Sequence, residues 1–211
     1  METLPDLLSR HAHRIWRGQD QRPTGPIIST GYRELDSALG GGWPTGTLVE
    51  VMTFGGGLGR SSLLLPALAT LSQSGKAIAW LPAQDEQPYA PTLRAVGVDL
   101  TRVLITNVQD HHQRLWGAEQ CLRSGACGAV VMTEMRTITD PMLRRLKLAA
   151  GANSAIMFVL RTEAAAESPS PASVRLRVRA APFAISQREV TILKCGGHPP
   201  RSITLDLDAR G

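Results

Sequence analysis

Apolar residues fall in short unbroken runs, with polar, helix-patterned stretches between them. Leu48-Val49-Glu50-Val51-Met52 reads as a strand, and Leu64 to Ala69, beyond a glycine-rich turn, as a helix. The alternation continues with strand Ala77–Leu81, a helix near Tyr89–Val96, strand Val103–Thr106 and a helix near Gln113–Arg123. Strand Ala129–Met132, a helix near Pro141–Ala150 and strand Ala155–Leu160 complete the series. Runs without polar alternation suit strands covered on both faces. Strands alternating with helices predict an α/β fold built on a largely parallel sheet.

The two ends of the chain follow other patterns. From Leu4 on, apolar Leu4, Leu7, Leu8, Ile15 and Trp16 are set among Arg10, Arg14 and Arg17, a basic amphipathic helix closed by Gly18. Gln19 to Pro26 reads as a linker, so residues 1–26 form an arm and 27–211 the core domain. The arm is either a docking element, through Leu7, Leu8, Ile15 and Trp16, or a helix packed on its own domain. Before the first core strand, glycine and proline cluster at Gly40 to Gly46, where a short helix ends in a wide turn. After Leu160, an Ala-, Glu-, Ser- and Pro-rich stretch predicts a mobile loop over 163–173. Val174-Arg175-Leu176-Arg177-Val178-Arg179 alternates strictly, as a strand with one apolar and one basic face does. Val190–Leu193 and Ile203–Leu207 are further short strands, and the C-terminal part is expected to extend the sheet by antiparallel hairpins.

Composition narrows the setting. With 211 residues and 43% apolar content, the chain can bury one good-sized core. No window is long and apolar enough for a membrane span and no signal peptide opens the chain, so a cytoplasmic protein is expected. Cys121, Cys127 and Cys195, without C-x-x-C spacing, read as reduced structural thiols. A formal charge of +5 is compatible with nucleic acid or with an acidic partner.

Candidate chemistry centres on Thr53-Phe54-Gly55-Gly56-Gly57-Leu58-Gly59-Arg60-Ser61-Ser62-Leu63, between a strand and a helix. That is the context of a phosphate-binding P-loop, G-x-x-x-x-G-K-[ST]. Here the first glycine position is Phe54 and the lysine position Arg60; only Gly59 and Ser61 match fully. Gly55, Gly56 and Gly57 leave the backbone free to turn around an anion. A planar guanidinium does not replace the compact ammonium that reaches the β/γ-phosphates. The stretch therefore reads as a P-loop in position that has lost its chemistry, and no cofactor is expected.

Other constellations are weaker. His11 and His13 lie on different sides of a helix, and the adjacent side chains of His111 and His112 diverge, so no metal site is predicted. Arg144, Arg145 and Lys147 read as a solvated helix face. Arg175, Arg177 and Arg179 place three guanidinium groups on one strand face, suited to phosphates or an acidic partner, or else to a charge-blunted edge strand.

Taken together, Ile28-Ser29-Thr30-Gly31, Leu35-Asp36, Ala38-Leu39-Gly40, Gly46, Val49-Glu50, the P-loop position and Ala172-Ser173-Val174-Arg175-Leu176 resemble the RecA-like family over nearly the whole chain. The resemblance implies a RecA-like P-loop NTPase fold with a largely parallel central sheet, antiparallel C-terminal strands and an N-terminal helical arm. Trp16-Arg17-Gly18, Gly41-Gly42-Trp43-Pro44, Leu63 to Leu68, Trp80, Pro82 and Pro88-Tyr89-Ala90-Pro91 further resemble the ImuA proteins. These are damage-induced bacterial accessory factors of translesion DNA synthesis, which act with ImuB, an inactive Y-family polymerase relative, and an error-prone DnaE-type polymerase. The shorter SulA division inhibitors, which bind FtsZ, are related; an active DNA-dependent ATPase or recombinase is the third reading. RecA, DNA and self-association are further possible partners under this resemblance. Against active RecA, the catalytic glutamate after strand Ala77–Leu81 meets Pro82-Ala83-Gln84, with Asp85 and Glu86 just beyond. The Mg²⁺-fixing acid meets Met132-Thr133, with Glu134 one step late. The γ-phosphate-sensing glutamine is Arg161, and the second DNA-binding loop matches Glu163 to Ala172, which lacks basic residues. The resemblance thus implies an adaptor without ATPase activity.

Overall fold

A computed structural model describes residues 25–54, 61–83, 86–133, 138–181 and 186–208. The helical arm expected before residue 25 lies outside them. Strand β1 (Ile27–Ile28) pairs antiparallel with β2 (Trp43–Pro44), a ribbon too short to leave a pattern in the sequence. Between them, Asp36 of helix α1 (Arg33–Leu39) accepts hydrogen bonds from Ser29 Oγ (2.6 Å) and Thr30 N (2.7 Å), which fixes the chain's entry into the helix. Gly31 has φ 80°, and a Cβ there would lie 2.3 Å from Cβ of Pro66, so only glycine lets this turn reach the next helix.

The alternating region follows the expected order. Strand β3 (Thr47–Thr53) leads to α2 (Leu65–Gln73), β4 (Ala77–Leu81), α3 (Ala90–Ala95) and β5 (Val103–Ile105). Then come α4 (His111–Arg123), β6 (Cys127–Thr133), α5 (Asp140–Ala152) and β7 (Ile156–Thr162). Local chemistry explains the helix starts. Asp110 caps α4 by accepting from Gln113 N at 2.8 Å, and proline opens α2, α3 and α5, where its missing N–H costs nothing. Strands β8 (Val174–Ala180), β9 (Gln187–Cys195) and β10 (Arg201–Asp206) complete a sheet of spatial order β10-β9-β8-β3-β7-β6-β4-β5.

All pairings from β8 to β5 are parallel; β9 and β10 alone in this sheet pair antiparallel. This corrects part of the expectation for the C-terminal region. Strand β8 is an interior strand beside β3, and its basic face is no charge-blunted edge. Two parallel neighbours need a connection that crosses a face of the sheet, and residues 163–173 supply it. This stretch, expected to be loose, holds a 3₁₀ turn (Glu163–Glu167) and buries Ala165 and Ala172. It is tied down by Lys147 Nζ to Pro171 O (2.9 Å), Lys194 Nζ to Ser170 O (3.1 Å) and Ser173 N to Leu48 O (3.0 Å).

The sheet separates two apolar layers. Helices α1, α2 and α3 cover one face, where Trp43 stands edge-on to Phe158 with ring centroids 5.4 Å apart. Helices α4 and α5 cover the other, packing Leu122, Leu143 and Leu146 on Leu48, Met157 and Val159. All seven residues of β3 are buried. Among the described residues no helix is long and apolar enough to cross a membrane.

Candidate functional site at the carboxyl edge of the sheet

Parallel strands deliver their carboxyl ends to one edge, where open α/β sheets build their sites. Strand β3 ends there at Thr53, whose buried Oγ1 has no hydrogen-bond partner among the described residues. Phe54 follows with 85% of its surface exposed. Gly55, Gly56, Gly57, Gly59 and Arg60 lie outside the described residues. Ser61 re-enters at the turn before α2, half-buried, its carbonyl accepting from Leu64 N at 2.8 Å.

The neighbouring strand ends are occupied by a cation that the sequence reading overlooked. Arg114 reaches inward from α4 and is 2% exposed. Its Nη2 donates to Leu81 O (2.6 Å) at the end of β4 and to Thr133 O (2.8 Å) at the end of β6. Its Nε is buried without a hydrogen-bond partner among the described residues. Desolvation pushes its pKa down while the charge of Glu86 opposes the shift; a guanidinium stays protonated even so. The two strand ends bridged here are those where the resemblance seeks a catalytic glutamate and a metal-fixing acid. Magnesium requires an octahedron of oxygens, usually carboxylates, phosphates and water. The described residues give it the opposite surroundings: Thr133 is buried with its carbonyl taken, and a fixed positive charge sits between the strands. Two like unit charges 4 Å apart repel by about 4 kcal/mol at an effective dielectric of 20, and a divalent ion doubles that. Glu86, the one acid described just beyond β4, acts electrostatically on this guanidinium. Among the described residues no three His, Cys, Asp or Glu side chains cluster in a way that could hold a metal ion.

On the far side of β3 the charges are internal as well. Glu50, fully buried in the middle of β3, accepts from Arg161 Nη1 of β7 and from Arg175 Nε of β8, both at 2.7 Å. Arg175 also donates to Ala165 O at 2.7 Å, so the 3₁₀ turn closes over the triad. Arg161, at the position of a phosphate-sensing glutamine, is 5% exposed and committed to Glu50. The three guanidinium groups expected on one accessible face therefore separate. Arg175 is an interior ion-pair partner. Arg179 bonds Glu163 through Nε (2.8 Å) and Nη2, and Arg177 Nε lies 3.8 Å from the same carboxylate. The hydrogen bond that Arg179 donates to Glu163, together with the charge of that carboxylate, raises the pKa of Arg179. Glu163 thus faces two cations here, and Glu189, opposite Arg179 on β9, adds a second negative charge at the open end of β8.

Lys147, read as part of a solvated helix face, is half-buried against the crossover, and desolvation lowers its pKa. The proposed docking residues Leu7, Leu8, Ile15 and Trp16 lie outside the described residues. Of what the sequence reading missed, Glu50 had a signal, a lone acid inside an apolar strand run. Arg114 had none, being one polar residue among many in a polar helix.

A largely parallel sheet with helices on both faces, its central strand feeding a glycine-rich stretch and a helix, defines an α/β domain of the RecA-like class. The model of the RecA N-terminal domain family matches residues 14–142, more than half of the chain, and the chain belongs to that family. It is 34% identical over 125 residues to protein RecA of Chloroherpeton thalassium, covering 57% of this chain and 34% of that protein. It is 32% identical over 126 residues to protein RecA of Corynebacterium aurimucosum (58% of this chain, 32% of that protein). Against protein RecA of Prochlorococcus marinus strain AS9601 it is 34% identical over 125 residues (58% and 33%). The chain thus matches about a third of the length of these relatives.

Proposed function

We propose that this chain is a non-catalytic accessory protein of translesion DNA synthesis of the ImuA type, an adaptor for an ImuB-type inactive polymerase relative and an error-prone DnaE-type polymerase. The observation that carries the reading is Arg114. Phosphoryl transfer rests on positioning and on electrostatic stabilisation of the transferring group, with metal ions held between phosphates and acids. A buried guanidinium bonded to Leu81 O and Thr133 O sets a positive charge between the strand ends where the resemblance seeks those acids, which disfavours a metal ion there. Arg161, locked to Glu50, is unavailable as a phosphate sensor. Arg60 in the lysine position agrees with both. What remains is a RecA-like surface able to bind protein or DNA without turnover.

Two measurements on the full chain test this. Steady-state ATP hydrolysis with single-stranded DNA is expected to stay at contaminant level, and Arg60→Lys is expected to restore nothing, because groups that act as a unit do not recover singly. Turnover that Arg60→Ala removes would instead establish an active ATPase. In a pull-down against ImuB, the DnaE-type polymerase, RecA and FtsZ from one lysate, capture of ImuB or the polymerase supports the adaptor; capture of FtsZ alone replaces it with a SulA-type division inhibitor.

A further inference from the structure

The turn from α4 into β6 brings two thiols together. Cys121 lies in the last turns of α4, and Cys127 is the first residue of β6. Between them the chain reverses through Ser124, Gly125 and Ala126. Ser124 Oγ donates to Cys121 O at 2.7 Å and accepts from Ala126 N at 3.2 Å, and Gly125 takes φ 73°. Neighbouring elements pin the reversal. Asn153 Nδ2 donates to Leu122 O (3.3 Å) and Arg123 O (3.0 Å), Lys76 Nζ to Gly125 O (3.3 Å), and Ala77 N to Ala126 O (3.0 Å). Cys127 is 7% exposed within the apolar layer under α4 and α5, and Cys121 packs against that layer while keeping part of its surface open. Both sulfurs are free thiols and they interact directly.

From this juxtaposition we infer that Cys121 and Cys127 are a dithiol modification site, which closes reversibly to an intramolecular disulfide stapling α4 to β6. The assignment extends beyond the adaptor reading and does not depend on it. The division of roles follows from the surroundings. The hydrogen bond from the Cys121 thiol lowers the pKa of Cys127, whereas the neighbouring thiol and burial push that of Cys121 up. The thiolate is the nucleophile in sulfur chemistry, so Cys127 attacks and Cys121 resolves. With hydrogen peroxide as oxidant, the Cys127 sulfur attacks one peroxide oxygen and the O–O bond breaks. The departing hydroxide takes up a proton and leaves as water, and Cys127 becomes a sulfenic acid. The Cys121 thiol then gives up its proton, its sulfur attacks the Cys127 sulfur, and the S–O bond breaks to release a second water. The two thiols lose two electrons and peroxide gains them. A dithiol reductant reverses the change by exchange. Cys195 is an internal control: it is 5% exposed, and its Sγ lies 3.6 Å from Leu39 O on the opposite face of the sheet.

The test uses the folded full chain, oxidised with hydrogen peroxide at neutral pH, then denatured and alkylated. Of its three cysteines, two are expected to be lost to alkylation, and dithiothreitol should recover both. Because Arg123 lies between the two thiols, trypsin should yield Leu115–Arg123 disulfide-linked to Ser124–Arg136. In Cys121→Ala, a change at the partly exposed partner, the linked peptide should vanish and dimedone should trap sulfenic acid at Cys127. Three alkylatable thiols after peroxide, or linkage through Cys195 or between two chains, would overturn the assignment, as would absence of dimedone label in a Cys121→Ala chain whose circular dichroism is native.

Discussion

Replacing Glu50 by glutamine gives the sharpest test of how the centre of this sheet is held. Glu50 is fully buried and accepts from Arg161 and Arg175, each at 2.7 Å. Glutamine has nearly the same shape, but only its carbonyl oxygen accepts; its amide donates, and in this position it meets the N–H groups of a guanidinium. The change therefore removes the one negative charge between two buried positive ones. Breaking a buried ion pair from one side costs about 3–5 kcal/mol, since it strands a charge in a medium that cannot solvate it. For a chain of this size each kcal/mol moves the melting temperature by about 2–4 °C, so Glu50→Gln should melt roughly 6–20 °C lower. Urea unfolding followed by circular dichroism should show a lower midpoint with an unchanged slope. The companion variant is Glu50→Leu with Arg161→Met and Arg175→Met. Removing all three charges together leaves none unpaired and should restore stability to near the parent or above it. A Glu50→Gln chain within about 0.5 kcal/mol of the parent, where surface changes usually fall, would refute the argument. A triple variant less stable than the single one would do the same.

Two further expectations follow from the charged end of β8 and from the arm. Any DNA binding should be salt-sensitive and indifferent to sequence, and replacing Arg177 and Arg179 by alanine should flatten the salt slope by at most about 1–2, the share of two phosphate contacts; unchanged affinity and slope in a fluorescence-anisotropy titration would remove this end of β8 from the contact. Deleting Met1 to Asp20 should leave the melting temperature of the domain nearly unchanged while abolishing self-association or partner pull-down; a large fall in melting temperature, or capture of every partner as before, would assign the arm to the core instead.

Much of the fold was legible because burial on both faces leaves little freedom. The runs at Leu48, Ala77, Ala129 and Ala155 could only be interior parallel strands once helices were found between them. Gly31 and Asp36 entered the sequence reading only as markers of the resemblance; the turn they build, with Asp36 accepting from Ser29 and Thr30, is seen in the structure. What stayed hidden depends on distance along the chain. Alternation in Val174 to Arg179 shows that three arginines share a face, but not that a crossover covers that face or that Glu50, 125 residues earlier, lies beneath it. Nor does the polar helix His111–Arg123 disclose that Arg114 turns inward, since its partners are main-chain carbonyls, which every residue carries. The basic face thus read as one unit, when Arg175 serves the interior and Arg177 and Arg179 face Glu163 at the open end of the strand. Arg114, buried between two strand ends, read as ordinary.

The position of β3 also has a consequence during synthesis. The strand leaves the ribosome early, yet both of its neighbours in the sheet are made late. Its carboxylate waits 111 residues for Arg161 and 125 for Arg175. At translation rates of about 5–20 residues per second, that delay is about 6–25 seconds for the second partner. During this interval the chain can form helices and pair β4 with β5 and β6, but β3, buried along its whole length in the finished sheet, stands open on both sides. A nascent chain stalled before residue 174 exposes an unpaired strand with an acid at its middle. Holding Glu50 in water until its partners arrive disfavours premature burial, so the same residue that clamps the finished sheet also delays its closure.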